Sequence, residues 1–106
     1  MNWRELLARA TGFEWDEGNL DKNLLKHDVA FWEAEEIFFN RPLVLRPDVE
    51  HSASEIRYFA LGKTDSGRRL FVVFTLRQTL VRVISARDMT RREGAAYRHH
   101  EKETHP

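Results

Sequence analysis

Apolar residues recur at helical spacing in the first forty positions of this chain and at strand spacing after them. Asn2 stands where it would cap a short helix from Trp3 to about Ala10, with Leu6 and Leu7 on its apolar side and Thr11-Gly12 as its end. Phe13-Glu14-Trp15 alternates as a short strand does. Asp16 then has the chemistry to cap a helix in which Leu20, Leu24 and Leu25 recur up to Lys26-His27, two cations suited to a helix C-terminus. Asp28-Val29-Ala30 breaks the pattern. A second helix, Phe31 to about Phe39, sets Phe31, Ala34, Ile37 and Phe38 against Glu33, Glu35 and Glu36, and Asn40-Arg41-Pro42 stops it because proline disfavours helix in the residue before it.

Leu43-Val44-Leu45 reads as a strand closed by Arg46-Pro47-Asp48, and residues 50–54 form a polar loop. Glu55 to Leu61 alternates Ile56, Tyr58 and Ala60 against Arg57, Phe59 and Leu61. Lys63 to Arg68 has turn composition, and Leu70 to Thr75 is apolar on both faces, as a central strand is. Thr79 to Arg87 is a further strand, reached by a tight turn near Leu76-Arg77-Gln78. Strict alternation there places Arg82 with Leu80, Ile84 and Ala86, and Arg87 on the other face with Val81, Val83 and Ser85. Thr90-Arg91-Arg92-Glu93 matches a capping box, in which hydroxyl and carboxylate each satisfy a free N–H at a helix start. That helix runs through Ala95, Ala96 and Tyr97 and is expected to fray from His99 to Glu103.

The pattern predicts an α+β fold, a small, mostly antiparallel sheet with two helices before it and one after it. The expected organisation is a helical extension over 1–12, a main domain over 13–98 and a polar tail over 99–106, with no internal repeat.

Composition narrows the classes. The 106 residues suit one domain, and the longest uncharged apolar run, Leu70 to Leu76, falls far short of the roughly 20 residues a bilayer span needs. Cysteine is absent, which removes disulfides, Cys-based zinc sites and thiol nucleophiles together. Met1-Asn2-Trp3-Arg4-Glu5 lacks the basic and apolar regions of a secretory signal, so a cytoplasmic protein with no membrane partner is expected.

Seventeen Lys and Arg balance seventeen Asp and Glu, yet the balance is uneven along the chain. Residues 1–56 hold 6 basic and 12 acidic side chains, and residues 57–106 hold 11 and 5, an asymmetry that points to an acidic face and a basic one. The basic series is Arg82, Arg87, Arg91, Arg92 and Arg98, extended by Arg57, Arg68, Arg69 and Arg77. Arginine's planar fork matches phosphate and stays protonated, so such a cluster suits a nucleic-acid backbone. The competing reading is a solvated surface paired with the acidic helices.

Other candidates are Lys26-His27 at a helix end and His51 in a polar loop, where histidine is able to move protons. Trp15 and Trp32 are expected in the core, although an exposed edge would permit base stacking. His99, His100 and His105 read as a solvated tail. No histidine and carboxylate spacing resembles a metal set, and Gly62, Gly67 and Gly94 form no phosphate loop, so neither metal nor cofactor is expected.

Read in order, several segments resemble the BrnT family of type II toxin-antitoxin ribonucleases. They are Phe13-Glu14-Trp15-Asp16, Asn23-Leu24-Leu25-Lys26-His27, Phe31 to Phe38, Glu55-Ile56-Arg57-Tyr58, Leu61-Gly62, Leu70 to Thr75, and Val81 to Arg87 leading to Thr90-Arg91-Arg92-Glu93. The resemblance implies a RelE-like fold and metal-independent RNA cleavage that inhibits translation. It also implies neutralisation by a BrnA-like ribbon-helix-helix antitoxin, through which alone operator DNA is reached. Carried onto this chain, it marks Lys26, His27, Arg57, Arg82, Arg87 and Arg91. Two positions depart from the family pattern: Asp28 stands where glycine is usual, and Ala30 where Ser or Asp is.

In such a reaction the 2′-hydroxyl attacks its own phosphate, so the protein must take up a proton, neutralise the phosphorane and protonate the leaving 5′ oxygen. Arg87 and Arg91 are expected to stabilise the transition state, Arg57 and Arg82 to orient the substrate, His27 or His51 to transfer protons, and Lys26 and Arg92 to bind RNA. A non-catalytic module that docks its basic half on nucleic acid or protein is the alternative, and association of acidic and basic halves between copies is a third.

Overall fold

A five-stranded sheet in the order β1-β5-β4-β3-β2 carries the molecule. The computed structural model describes residues 3–51 and 53–104; the expected cap Asn2 and the tail residue His105 lie outside them. Along the chain come α1 (Trp3–Ala8), β1 (Gly12–Phe13), α2 (Lys22–His27), α3 (Phe31–Glu36), β2 (Val44–Asp48), β3 (Arg57–Lys63), β4 (Arg69–Arg77), β5 (Leu80–Asp88) and α4 (Arg91–Thr104). The short β1 runs parallel to the start of β5, and the other neighbours are antiparallel. This is the α+β class that the periodicity predicts.

One face of the sheet is the core. Tyr58, Ala60, Leu70, Val72, Phe74, Val81, Val83 and Ala86 pack there against Val29, Ala34 and Ile37 from the helical layer. Hydrophobic burial drives that contact. The layer lies so close to β3 that a Cβ on Gly62 would meet the Ile37 Cβ at 2.8 Å, and only glycine fits. On the opposite face α4 covers a smaller cluster, with Tyr97 fully buried over Val44 and Leu61 beside Phe71 and Met89. Cover on both faces explains why β4 is apolar from Leu70 to Phe74.

Several expected boundaries move, each for a local reason. Residues 16–21 form turns rather than helix: Asp16 Oδ1 accepts from the Gly18 N–H at 2.8 Å and its carbonyl from the Leu20 N–H at 2.8 Å, and α2 begins only at Lys22. The second helix tightens into a 3-10 turn over Ile37–Phe39. Ile56 is 60% exposed rather than inward, because β3 pairing begins at Arg57 opposite Asp48. With α2 and α3 only six residues each, few of their positions reach the sheet, which leaves Leu25 and Trp32 exposed instead of in the core. The expected fraying at His99 does not occur. Glu101 accepts hydrogen bonds from Arg69 at 2.6 Å and Lys63 at 3.4 Å, and the Tyr97 hydroxyl donates to the Pro42 carbonyl at 2.6 Å, so α4 is held down to its last turn.

The largest departure concerns β5. Val73 faces Ser85 and Phe74 faces Val83, so β5 carries one residue, Ile84, more than β4. Such a β-bulge inverts the alternation beyond it. Val81 and Val83 point into the core before it, and Ala86 does so after it. Arg82 and Arg87, expected on opposite faces, therefore share the face turned away from α2 and α3.

Candidate active site

That outward face collects the basic side chains. Its register sets Arg82 opposite Thr75, Thr75 opposite Arg57 and Arg57 opposite Asp48, one row across four strands. Around this row lies a hollow of about 170 Å³ walled by His51, Glu55, Arg57, Thr75, Arg77 and Arg82. His51 sits in the 3-10 turn after β2, its Nδ1 2.9 and 3.0 Å from the two Asp48 carboxylate oxygens. A carboxylate accepting from Nδ1–H fixes the ring and leaves Nε2 for proton transfer.

Carboxylates hold the guanidinium groups here. Glu14 N–H bonds the Val81 carbonyl at 2.9 Å as the chain leaves β1, which brings Glu14 and Asp16 beside β5. Arg82 donates to Asp16 at 2.9 and 3.0 Å and to Glu14 at 3.2 Å. Arg77 donates to Glu55 at 3.0 and 3.2 Å and to Glu14 at 3.4 Å. The Arg82 hydrogen bonds hold the Asp16 carboxyl below its ordinary value, and those of Arg77 do the same for Glu55. The acidic and basic stretches of sequence thus interlock, and the expected separation into an acidic face and a basic one does not hold at this row.

Arg87 lies further along β5, opposite Phe71 where Arg82 is opposite Thr75, a separation of four β4 residues or roughly 13 Å at about 3.3 Å per residue. The capping box of α4 aims it: Glu93 accepts from the Thr90 N–H at 2.9 Å and from Arg87 at 2.8 and 3.0 Å, while Thr90 Oγ1 accepts from the Glu93 N–H at 3.2 Å. The Arg87 guanidinium stands 4.2 Å from the centre of the Phe71 ring. Arg91 and Arg92 are exposed on the next turn, as are Lys26 at the end of α2 and Arg98. His27 is half-buried at the same end of the sheet. The expected residues therefore divide into Arg57, Arg82 and His51 around the hollow, Arg87, Arg91 and Arg92 at the start of α4, and Lys26 and His27 at the end of α2, which the structure does not bring into the outward face.

Arg68 has a structural role. It donates to Asp88 at 2.7 and 3.1 Å, to Glu33 at 3.1 Å and to the Asp28 carbonyl at 2.7 Å, tying the α2–α3 connection to the end of β5. Asp28 itself has φ of 56°, the left-handed region that glycine enters most easily and aspartate tolerates.

The sequence does not single out Asp48, Asn19 or Asn23. Asn19 and Asn23 are buried; Asn19 donates to the carbonyls of Glu14 at 3.0 Å and Val83 at 2.9 Å, and Asn23 accepts from the Ala86 N–H at 3.0 Å. They satisfy the β5 edge beyond the two residues that β1 pairs. His99 and His100 both lie near Glu103, at 3.4 and 3.8 Å, and no three His, Asp or Glu side chains among the described residues group as metal ligands would. No helix among them is long and apolar enough to cross a membrane. A larger hollow of about 870 Å³, lined by Leu7, Phe13, Phe38, Leu43 and Leu45, contains none of the expected site residues.

The crystal structure of the Brucella abortus ribonuclease toxin BrnT is similar in fold, with a TM-score of 0.57 and 21% sequence identity over 77% of this chain and 100% of that one. No curated protein matches the chain. Residues 15–93 match the family described as the ribonuclease toxin, BrnT, of type II toxin-antitoxin systems. That stretch contains β2 to β5, the bulge, the hollow and the cap of α4, and this chain belongs to the BrnT ribonuclease toxin family.

Proposed function

We propose that this protein cleaves RNA at the hollow where His51, Arg57, Arg77 and Arg82 converge. The observation that carries the reading is the hydrogen-bonded Asp48–His51 pair on the rim of a site walled by three arginines. In the reaction, His51 Nε2 takes the proton of the 2′-hydroxyl, whose oxygen attacks the adjacent phosphorus. Arg57 and Arg82 neutralise the charge that accumulates on the phosphorane oxygens. The bond to the 5′ oxygen breaks, that oxygen takes a proton from water, and the products are a 2′,3′-cyclic phosphate and a 5′-hydroxyl. No step calls for a metal ion.

Arg87 on β5 and Arg91 and Arg92 at the start of α4 hold phosphates further along the RNA, and Lys26 and His27 contribute from the end of α2. The ion pairs to Asp16 and Glu93 preorganise Arg82 and Arg87, keeping each fork at a fixed height above the sheet. Cleavage of cellular RNA inhibits translation, and a BrnA-like ribbon-helix-helix antitoxin neutralises the toxin by covering the arginine face. Affinity of the two purified proteins is expected to fall as salt rises from 50 to 500 mM, approximate working limits chosen around the ~0.15 M physiological range; a salt-independent affinity would argue against that docking face.

The test of the assignment is cleavage of a single-stranded RNA with and without EDTA. Full activity in EDTA is expected, with loss of about 10²-fold or more in His51→Ala and a smaller loss in Asp48→Asn. Wild-type activity in His51→Ala would remove His51 from the reaction, and abolition by EDTA would remove the metal-free mechanism. A protein that binds RNA without cutting it would instead support the non-catalytic module.

A further inference from the structure

Between the two arginine groups the outward face carries aromatic rings. Phe59 of β3 and Phe71 of β4 are stacked, with ring centres 5.5 Å apart and planes inclined by 24°. The Arg87 guanidinium continues the stack on the far side of Phe71, at 4.2 Å from its centre. A column of guanidinium, ring and ring thus crosses β5, β4 and β3.

Phe71 has a structural reason to be there, since it packs beside the cluster under α4. Phe59 belongs to neither apolar cluster and is only partly buried. The other large rings of these two strands, Tyr58 and Phe74, lie in the core. Phe59 is also flanked by positive charge on its own face. Arg46 is its cross-strand partner on β2 and is exposed, and Arg57 precedes it by two residues at the rim of the hollow.

A flat, partly exposed ring between cations matches what an unpaired nucleotide presents: a π-face with a phosphate on either side. A duplex cannot use such a surface, because its bases are stacked on one another. We propose that Phe59, backed by Phe71 and Arg87, is a stacking platform for one unpaired RNA base, with the flanking phosphates on Arg46 and Arg57, and that it restricts the enzyme to single-stranded RNA. The proposal rests on the RNA-cleaving reading above and names how that site selects its substrate.

The test uses the full chain and a short 2′-O-methyl single strand, which lacks the attacking hydroxyl, carrying 2-aminopurine as a fluorescent base. Binding to the wild type is expected to quench the probe, and a duplex of the same sequence is expected to compete poorly. Phe59→Leu keeps an apolar side chain without the π-face; it is expected to bind roughly 5- to 150-fold more weakly, with the quenching lost, and to raise KM more than it lowers kcat. Phe59→Trp is expected to restore both. Unchanged affinity and quenching in Phe59→Leu, or a duplex that competes as well as a single strand, would overturn the platform. Should Phe59→Leu fail to fold, Arg46→Ala reads the same site from an exposed position, with weaker binding expected and unchanged binding overturning it. Loss of cleavage in the wild type with Phe59-dependent quenching intact would sink the catalytic reading and leave the platform standing.

Discussion

Asn23 shows how much one side chain decides in a small sheet. Its Oδ1 accepts the Ala86 N–H, which no strand pairs because β1 ends two residues into β5. Removing the acceptor leaves a buried donor unsatisfied, so Asn23→Ala is expected to lower stability by about 1–3 kcal/mol, measured as a shift in the urea midpoint with the slope unchanged. The role was not legible in the sequence, where Asn23 is only a polar position beside Leu24 and Leu25. What a helical residue bonds across 63 positions depends on which strand lies below it. His51 was legible as a candidate, but its partner Asp48 was not: the pattern read Asp48 as the close of a turn, whereas β2 runs on through Pro47 to include it.

Two local devices set the outward face, and they differ in how the sequence records them. The capping box at Thr90 and Glu93 was legible, since it is written in four consecutive residues. The bulge at Ile84 was not, because nothing in Val83-Ile84-Ser85 departs from strand composition and only the register against β4 reveals the additional residue. Alternation read across the bulge therefore grouped Ala86 with Arg82 and Arg87 with Val81 and Val83, whereas Ala86 shares the core face with Val81 and Val83 and Arg87 the outward face with Arg82.

The cap carries a pH signature. Hydrogen bonding to Arg87 holds the Glu93 carboxyl below its ordinary value, and hydrogen bonding to Arg68 does the same for Asp88. Unfolded Glu and Asp titrate near 4.3 and 3.9, so both groups stabilise the fold fully above those values, and the contribution is lost as pH falls through the lower folded values. Thermal stability is expected to hold from pH 7 to about 5 and to fall below about 4. Glu93→Gln is expected to be less stable than wild type at neutral pH and to lose less on acidification. Parallel curves would show that Glu93 is not part of the acid response.

For the molecule as a whole, the zero net charge hides an arrangement that neither the total nor the division into halves describes. Residues 57–98 carry 10 basic against 3 acidic side chains, yet Glu14, Asp16 and Glu33 from the first half are bonded to Arg77, Arg82 and Arg68. The field at the outward face is set locally, by its arginines and the carboxylates bonded to them, and not by the net charge. The fold class was legible because the period changes from mostly helical to strand near residue 42 and back to helical at the Thr90 cap. That Arg57, Arg82 and Arg87 share one face was not legible, because only the sheet register and the bulge bring them together. The purified protein and an Arg57→Ala, Arg82→Ala double variant, matched for folding by circular dichroism, should be compared for cleavage of one single-stranded RNA. The double variant is expected to lose about 10²-fold or more of the rate, with the wild type leaving 2′,3′-cyclic phosphate ends; an unchanged rate, or wild-type products without those ends, would contradict catalysis at this hollow.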